Sequence, residues 1–178
     1  MVGSTVFSII LYCAMTYHPT VQAILSLLKK HDMWFETFEH VPVRTSYEAA
    51  RIREGRYALK QGAKALIIRV KKSQIDLHFV MLVLSGDSRF DGKKVKKLLN
   101  ARDIRFATAE EVADVTKGIE PGGVPPFGNL FDLSVIVDPI LLQNERIIFN
   151  AGDRRFSIAM KSNDYRALVQ PRIESICR

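Results

Sequence analysis

Two apolar stretches in the middle of the chain constrain the fold more than any other feature. They are Ala63–Lys71 (AKALIIRVK) and His78–Ser85 (HFVMLVLS), and a short polar turn separates them. Both are rich in β-branched and other aliphatic residues and have the length of strands buried in a sheet. The sequence therefore predicts two paired, largely buried strands here.

Helices and shorter strands are predicted on both sides of this pair. The apolar residues between Val21 and Leu28 follow the i, i+3, i+4, i+7 spacing of one buried helix face. Two Thr-x-x-Glu capping boxes, Thr45–Glu48 and Thr108–Glu111, open further helices, and Asp91 can cap another. The other predicted elements are strands at 34–39, near 104, at 133–138, 146–150 and 156–160, and a helix from 162 toward 168. Helices and strands without a repeating strand–helix rhythm indicate a single α+β domain on a mixed β-sheet.

The N-terminal residues 6–15 (VFSIILYCAM) are almost entirely apolar. This stretch is shorter than the ~20 apolar residues that a membrane-spanning helix needs. It also lacks the preceding basic residues of a secretory signal, because the first Lys or Arg is Lys29. We therefore expect no membrane association. Residues 1–17 are predicted to be an accessory extension, or an upstream mis-start before Met15, and 18–178 to be the working domain.

The composition disfavours several protein classes. The two cysteines, Cys13 and Cys177, form no ligand cluster, so a disulfide framework or zinc module is not indicated and a reducing, cytoplasmic setting is expected. The four histidines have no metal-ligand spacing. Phosphate-loop, dinucleotide-binding, zinc-protease and serine-hydrolase motifs do not occur. Metal-dependent and covalent hydrolysis are thereby disfavoured.

Positive charge dominates the chain, with 26 Lys and Arg against 19 Asp and Glu and a formal net charge of +7. Part of it is concentrated around the helix that Asp91 can cap. Such a segment can contact a nucleic-acid backbone without reading its sequence, although a solvated helix face is the commoner reason for a run of lysines. The candidate backbone-contacting residues are Arg89, Lys93, Lys94, Lys96 and Lys97.

The segment Gly118–Gly128 (GIEPGGVPPFG) has the composition of a functional loop. Its four glycines allow positive φ angles and close backbone approach, while its three prolines stiffen the chain. Backbone N–H and C=O groups at Gly122 and Gly123 can then hold a ligand carbonyl, a phosphate or a water in fixed geometry. The same composition also suits a stiff connector between a helix and a strand.

Lys64 is an unusual residue because it lies within the first apolar strand. Alternation puts it on the same face as Leu66 and Ile68. A buried ammonium group without a partner is costly, so this lysine either points outward or meets an anion. Alternation favours an inward cleft, whereas a position near the start of a strand favours solvent.

Other polar residues can line a pocket or serve the structure alone. His40 can act as an acid, a base or a hydrogen-bond donor, or it can pack at the end of a strand. Thr45 can contact a ligand, although its capping box already explains it. Asn150 and Ser157 can line a polar pocket beside Gly152, in a segment that is also typical of a glycine turn between two strands.

Together these segments resemble the YbaK family, also called the prolyl-tRNA-synthetase-associated editing domain. The resemblance rests on HVPVRT (40–45), GAKALI (62–67), GGVPPFG (122–128), the pair VD (137–138) and NAG (150–152), and it covers roughly residues 18–170. It implies a free-standing α+β domain whose mixed sheet is partly barrel-like and flanked by helices.

The resemblance also implies a function. Such a domain would be a trans-acting deacylase that hydrolyses the ester of mischarged tRNA with water, without a metal or another cofactor. Lys64 would engage the substrate near the terminal adenosine, and Gly122 and Gly123 would position the ester and the water. The implied partners are mischarged tRNA and an aminoacyl-tRNA synthetase. The implied substrate-binding residues are His40, Thr45, Pro125, Phe127, Gly128, Asn150, Gly152 and Ser157.

Two alternatives remain open at this point. One is a non-catalytic module that binds tRNA or a nucleotide on the same scaffold, and the other is a hydrolase of different small esters. Members of the family differ in the amino acid they remove, with alanine, cysteine, serine and threonine among the options. Pocket size decides between them, because one methylene changes binding by only ~1 to 3 kcal/mol in an apolar pocket.

Overall fold

The computed structural model describes residues 16–52 and 55–178, in which helices and strands follow one another without a regular repeat. The helices are α1 (Pro19–Lys30), α2 (Ser46–Ile52), α3 (Gly92–Leu98), α4 (Ala109–Val115), α5 (Pro139–Leu142) and α6 (Ser162–Val169). The strands are β1 (Phe35–Glu39), β2 (Ala63–Lys71), β3 (Leu77–Ser85), β4 (Asp103–Phe106), β5 (Ser134–Val137), β6 (Arg146–Asp153), β7 (Phe156–Lys161) and β8 (Arg172–Ile173). The predicted α+β class is confirmed.

These strands form two sheets, whereas the sequence suggested one. The larger sheet has the order β4-β2-β3-β5-β8 and the smaller the order β1-β7-β6. The larger sheet is mixed, as predicted, because β2 is antiparallel to β3 and β4 while β5 is parallel to β3 and β8. An isolated parallel bridge between Gly62 and Ile148 joins the sheets. Periodicity does not show which strands pair over long distances, so this division could not be predicted.

The two apolar stretches pair as predicted, with Ala63 opposite Ser85 and Lys71 opposite Leu77. Their residues alternate between two apolar cores, one on each face of the sheet. Met81 packs in the core that includes Ile24 of α1, and Leu82 packs in the core that includes Val95 of α3. Burial on both faces explains why these strands are nearly continuous in apolar residues.

The predicted helix starts are formed, with one variation. Asp91 accepts hydrogen bonds from the backbone N–H groups of Lys93 and Lys94 at 2.9 and 3.2 Å. Thr108 and Glu111 form the full capping box. At α2 the Thr45 hydroxyl accepts from the Glu48 N–H, but the Glu48 carboxylate accepts from the N–H of Arg44 instead of Thr45.

Two short elements, helix α5 and strand β8, were not predicted. Helix α5 begins with Pro139, and the Asp138 carboxylate caps it by accepting the N–H of Ile140 at 3.0 Å. Asp138 is 1% exposed and also accepts the N–H groups of Ile176 and Cys177, each at 2.9 Å. This carboxylate therefore joins the end of β5 to the C-terminal segment, near strand β8.

The apolar stretch 6–15 lies outside the described residues, so the prediction for the N-terminal extension stays a prediction. The described residues that follow it contact the domain: the ring of Tyr17 packs on Phe156 with centroids 4.9 Å apart, and its hydroxyl donates to Glu39 at 2.7 Å. None of the helices in the described ranges is long and apolar enough to cross a membrane.

Glu111 links α4 to the edge of the larger sheet. Its carboxylate accepts two hydrogen bonds from the Arg105 guanidinium of β4, at 2.6 and 2.7 Å, and one from the Thr108 N–H. These bonds, that of Arg105 above all, lower the pKa of Glu111 to about 2. Because folding lowers this pKa, the ionised carboxylate stabilises the fold at pH values above its ordinary pKa of 4.5. This contribution is lost as the pH falls toward 2.

We predict that Glu111→Gln lowers the melting temperature at pH 7 and that its difference from the wild type vanishes between about pH 4.5 and about pH 2. Circular dichroism melts at pH 7, 4 and 2.5 measure this. Glu110→Gln, which removes the neighbouring charge but none of these bonds, is the control and should show a smaller difference. A deficit in Glu111→Gln that does not change with pH would contradict the prediction.

Candidate active site

A cleft of about 450 Å³ lies where the two sheets meet, and both Gly62 and Ile148 line it. The start of β2 forms one wall. The others come from residues 44–49, from the glycine-proline loop (Gly118–Gly128) and from β6. The cleft brings together four residues predicted to belong to the site, namely Thr45, Lys64, Gly122 and Asn150.

Lys64 is half-buried in this cleft. Its Nζ donates a hydrogen bond to the backbone carbonyl of Ser88 at 2.7 Å. Burial lowers the pKa of the Lys64 ammonium below its ordinary value because fewer waters solvate the charge, and the Asp87 carboxylate partly opposes this shift. An ammonium group has three donors, so two remain after the bond to Ser88. Lys64 is thus a cleft-lining residue whose ammonium group is incompletely solvated.

The loop reaches the cleft at Gly122, a position that requires glycine. Its φ is +91°, and a Cβ atom there would lie 3.0 Å from the backbone oxygen of Arg44. The Gly122 carbonyl accepts from Asn150 Nδ2 at 2.7 Å. The neighbouring Gly123 uses both of its backbone groups, donating to Glu120 O and accepting from Gly152 N, each at 2.9 Å.

The two loop residues that line the cleft, Gly122 and Val124, each have a backbone N–H group. Neither has a hydrogen-bond partner among the described residues. Val124 lines the cleft and is only 8% exposed. Nearly all backbone N–H groups of buried residues are paired, so an N–H without a protein partner here suits a ligand or water.

The end of the loop is fixed to the core. The Tyr165 hydroxyl, fully buried, donates to Pro126 O at 2.9 Å, and the Phe127 ring packs against Phe149 and Tyr165. Gly128 allows close packing, because a Cβ atom there would lie 2.5 Å from Val135 Cγ2. Pro125, Phe127 and Gly128 are all buried and none lines the cleft.

Three further predicted residues, His40, Ser157 and Gly152, do not line the cleft. His40 Nε2 is 2.7 Å from the Ser157 hydroxyl oxygen, and that hydroxyl donates to Asn150 Oδ1 at 3.0 Å. Gly152 lines a separate cavity of about 240 Å³ on the other side of the loop, together with Gly123. Asn150, to which the Ser157 hydroxyl donates, does line the cleft.

The basic segment is exposed, except for the end of one side chain. Lys94 Nζ donates to the backbone carbonyl of Cys177 at 2.7 Å and so holds the C-terminal segment. Four predicted nucleic-acid contacts thus remain exposed without such a structural bond: Arg89, Lys93, Lys96 and Lys97.

Sequence reasoning missed several residues of the site. Tyr47 lines the cleft and is 67% exposed, and Arg44 lines it beside Thr45. The only sequence signal for them is their place around the Thr45 capping box. Ser88 gave no signal, because its contribution is a backbone carbonyl. Among the described residues, no group of three or more His, Cys, Asp or Glu is placed to hold a metal ion.

The fold is of a kind found in other proteins. The chain matches the family of the aminoacyl-tRNA editing domain over residues 40–168. It is 31% identical over 160 residues to the multifunctional Ser/Thr-tRNA deacylase ProXp-y of Escherichia coli K12, covering 89% of this chain and 93% of the relative. A segment of 63 residues, 35% of the chain, is 44% identical to 11% of the proline–tRNA ligase of Bacillus licheniformis.

Solved structures show the same fold. The crystal structure of a proposed trans-editing enzyme for prolyl tRNA synthetase superposes with a TM-score of 0.74 at 24% identity, covering 92% of this chain and 99% of that one. The protein is thus a single α+β domain of the editing type, with a lysine and a glycine loop in one cleft. It belongs to the aminoacyl-tRNA editing domain family, and the resemblance to the YbaK family is confirmed.

Lys64 is predicted to contribute little to folding. Because burial lowers its pKa, the charged form is disfavoured in the folded state, and this penalty is relieved as the pH rises toward the ordinary value of 10.5. We predict that Lys64→Met changes the free energy of unfolding at pH 7 by no more than about 1 kcal/mol. The wild type should gain stability relative to the variant between pH 7 and pH 10.5 in urea titrations. A large loss of stability in the variant would show that Lys64 is structural.

Proposed function

We propose that this protein is a trans-acting aminoacyl-tRNA deacylase that hydrolyses the ester bond of mischarged tRNA. The observation that carries the proposal is the half-buried Lys64 ammonium in one cleft with the glycine loop. The relationship to a Ser/Thr-tRNA deacylase over nearly the whole chain supports it. A cytoplasmic setting and the association with a synthetase are part of the same proposal.

The reaction needs little chemistry from side chains. A water oxygen attacks the ester carbonyl carbon, the bond from that carbon to the ribose oxygen breaks, and the ribose oxygen takes up a proton. The products are the free amino acid and the tRNA with its terminal hydroxyl. Because an aminoacyl ester is already activated, positioning the water and stabilising the oxyanion can suffice, without a metal or a covalent intermediate.

Each part of the cleft has a role in this proposal. The two remaining N–H donors of Lys64 bind the phosphate or ribose of the terminal adenosine, which restores the solvation that burial removes from the ammonium. The N–H groups of Gly122 and Val124 lie on the loop that faces the ester and are the donors for the developing oxyanion. Lys64 therefore contributes binding and orientation, and the loop contributes transition-state stabilisation.

Serine and threonine esters are the proposed substrates. The named relative is a Ser/Thr-tRNA deacylase, and the polar side chains of Thr45 and Ser46 line this cleft. Polar groups that pair with a substrate hydroxyl discriminate against an analogue that lacks it, because they would be left unpaired. Alanyl, cysteinyl and prolyl esters are the comparison substrates.

The proposal is tested by deacylation of a panel of aminoacyl-tRNAs under single-turnover conditions. We predict that Lys64→Ala lowers kcat/KM by about 100-fold or more. Lys71→Ala is the matched control, because it removes a lysine from the other end of the same strand, and it should stay within about twofold of the wild type. Equal activity of Lys64→Ala and the wild type would overturn the role of Lys64.

The wild-type results separate the alternatives. Salt-sensitive tRNA binding without hydrolysis of any ester on the panel would favour a non-catalytic binding module. Hydrolysis of free aminoacyl esters that is indifferent to tRNA would favour a different small-ester hydrolase. Loss of activity after treatment with a chelator, restored by a divalent metal, would contradict the metal-independent mechanism.

The basic segment is proposed to contact the tRNA backbone. We predict that replacing Lys93, Lys96 and Lys97 together by Gln raises KM for aminoacyl-tRNA and leaves kcat nearly unchanged. The slope of log KM against log salt concentration should fall by about 2 to 3, because each phosphate that is no longer neutralised lowers it by just under one. Lys29, Lys30 and Lys117 are exposed lysines elsewhere on the domain, and their triple Gln variant is the control with the same change in charge. Equal effects of the two triple variants would show that net charge alone matters.

A further inference from the structure

A chain of polar side chains connects the end of β1 to the glycine loop. It runs from His40 Nε2 to the Ser157 hydroxyl (2.7 Å), on to Asn150 Oδ1 (3.0 Å), and from Asn150 Nδ2 to the Gly122 carbonyl (2.7 Å). We infer that this chain positions the loop for hydrolysis, with Asn150 and Ser157 acting as positioning residues and not as contacts of the substrate. The inference rests on the proposed deacylase function.

The strands hold the members of this chain in register. Asn150 of β6 lies opposite Ser157 of β7, so their side chains meet across the pair. The pairing is interrupted by a register shift between Asn150 and Asp153, and it resumes at Asp153 opposite Phe156, so Asn150 is the last paired residue before this irregularity. His40 follows β1, whose Phe38 lies opposite Ser157 on the other side of β7.

The bonding capacities of Gly122 and Ser157 orient the loop end of this chain. The Gly122 carbonyl can only accept, so the Asn150 amide must present its nitrogen to the loop and its oxygen to Ser157. His40 has two contacts with oxygen, Nε2 with Ser157 Oγ and Nδ1 with the Val41 carbonyl at 2.8 Å, and a neutral imidazole can donate to only one of them. The orientation of the Asn150 amide therefore follows from Gly122 and Ser157.

Ser157 is in a position to act only through another residue. It is 0% exposed and does not line the cleft. Asn150, which lines the cleft, is the residue that the Ser157 hydroxyl contacts on the cleft side. The contribution of Ser157 to a reaction in the cleft must then pass through the Asn150 amide that it orients.

The bond to Gly122 controls more than one atom of the loop. A peptide group is planar, so fixing the Gly122 carbonyl also fixes the plane of the following N–H, which donates to Glu120 O. Glycine at positive φ has few steric limits of its own. Loss of the Asn150 bond would leave this peptide held by the bond to Glu120 alone, so that the adjacent N–H donors of Gly122 and Val124 would be less precisely oriented.

A role in folding alone predicts a different outcome from a role in positioning. A structural bond would lower stability, with kcat affected only as the enzyme unfolds. A positioning bond lowers kcat in the folded enzyme, because the oxyanion donors act in the transition state, and it leaves KM for the tRNA nearly unchanged. Ser157→Ala is the sharpest variant, since it removes one oxygen atom and adds no bulk.

The experiment measures kcat, KM and melting temperature for Ser157→Ala, Asn150→Ala and the double variant, on the aminoacyl-tRNA that the wild type hydrolyses fastest. We expect kcat to fall about tenfold in Ser157→Ala and further in Asn150→Ala, with KM within about twofold of the wild type. The double variant should be no slower than Asn150→Ala, because Ser157 acts through Asn150. Hydrogen exchange at the Gly123 amide should accelerate in all three variants.

Ser162→Ala is the matched control. Ser162, the first residue of α6, is another buried serine. Its hydroxyl donates to the backbone carbonyl of Asn144. It should lose stability while keeping the wild-type kcat. Unchanged kcat in Ser157→Ala, multiplicative losses in the double variant, or an equal loss of kcat in Ser162→Ala would overturn the inference. Absence of wild-type hydrolysis on every ester would overturn the proposed function first, and the inference with it.

Discussion

The bridge between Gly62 and Ile148 is the contact on which the site depends. It is an isolated parallel bridge and the place where β2 of one sheet meets β6 of the other. Lys64 and Asn150 each follow the bridge by two residues, so the parallel register puts the two side chains on facing strands. Because the bridge does not continue into a ladder, the strands leave a cleft beyond it, with the lysine on one wall and the amide on the other.

The glycine-proline loop completes this cleft because it is fixed at several points. Tyr165 and the Phe127 ring hold its C-terminal part in the apolar core. Gly152 and Asn150 of β6 hold its centre through the carbonyls of Gly123 and Gly122. A loop with so many glycines would otherwise be free to adopt many conformations. The polar contacts of β6 therefore convert a flexible composition into a fixed set of backbone donors.

The sequence was sufficient for the features whose cause is local. The paired apolar strands, the helix caps at Asp91 and Thr108, and the unusual position of Lys64 within an apolar strand follow from the residues themselves. The division into two sheets, the Ser88 carbonyl beside Lys64 and the bonds of Asp138 to the C-terminal segment depend on residues far apart in sequence. Lys94 shows the same limit, because nothing in a run of lysines indicates that one of them holds a carbonyl near the C-terminus.

The same distinction applies to the site. His40, Asn150 and Ser157 were each predicted to bind substrate, and the structure brings them into one hydrogen-bonded chain. Pro125, Phe127 and Gly128 were predicted from the loop motif, yet they are buried and secure the loop to the core. A motif identifies the segment that matters. Which of its residues face a ligand is decided by the packing of the rest of the fold.

The most direct measurement is a crystal structure of the protein with a non-hydrolysable analogue of the substrate, in which an amide replaces the ester of seryl-adenosine. We expect the analogue to occupy the cleft between the sheets, with its adenosine end within hydrogen-bond distance of Lys64 Nζ and its carbonyl oxygen facing the N–H groups of Gly122 and Val124. Binding in the cavity beside Gly152, on the other side of the loop, or binding in the cleft without contact to Lys64, would contradict this expectation.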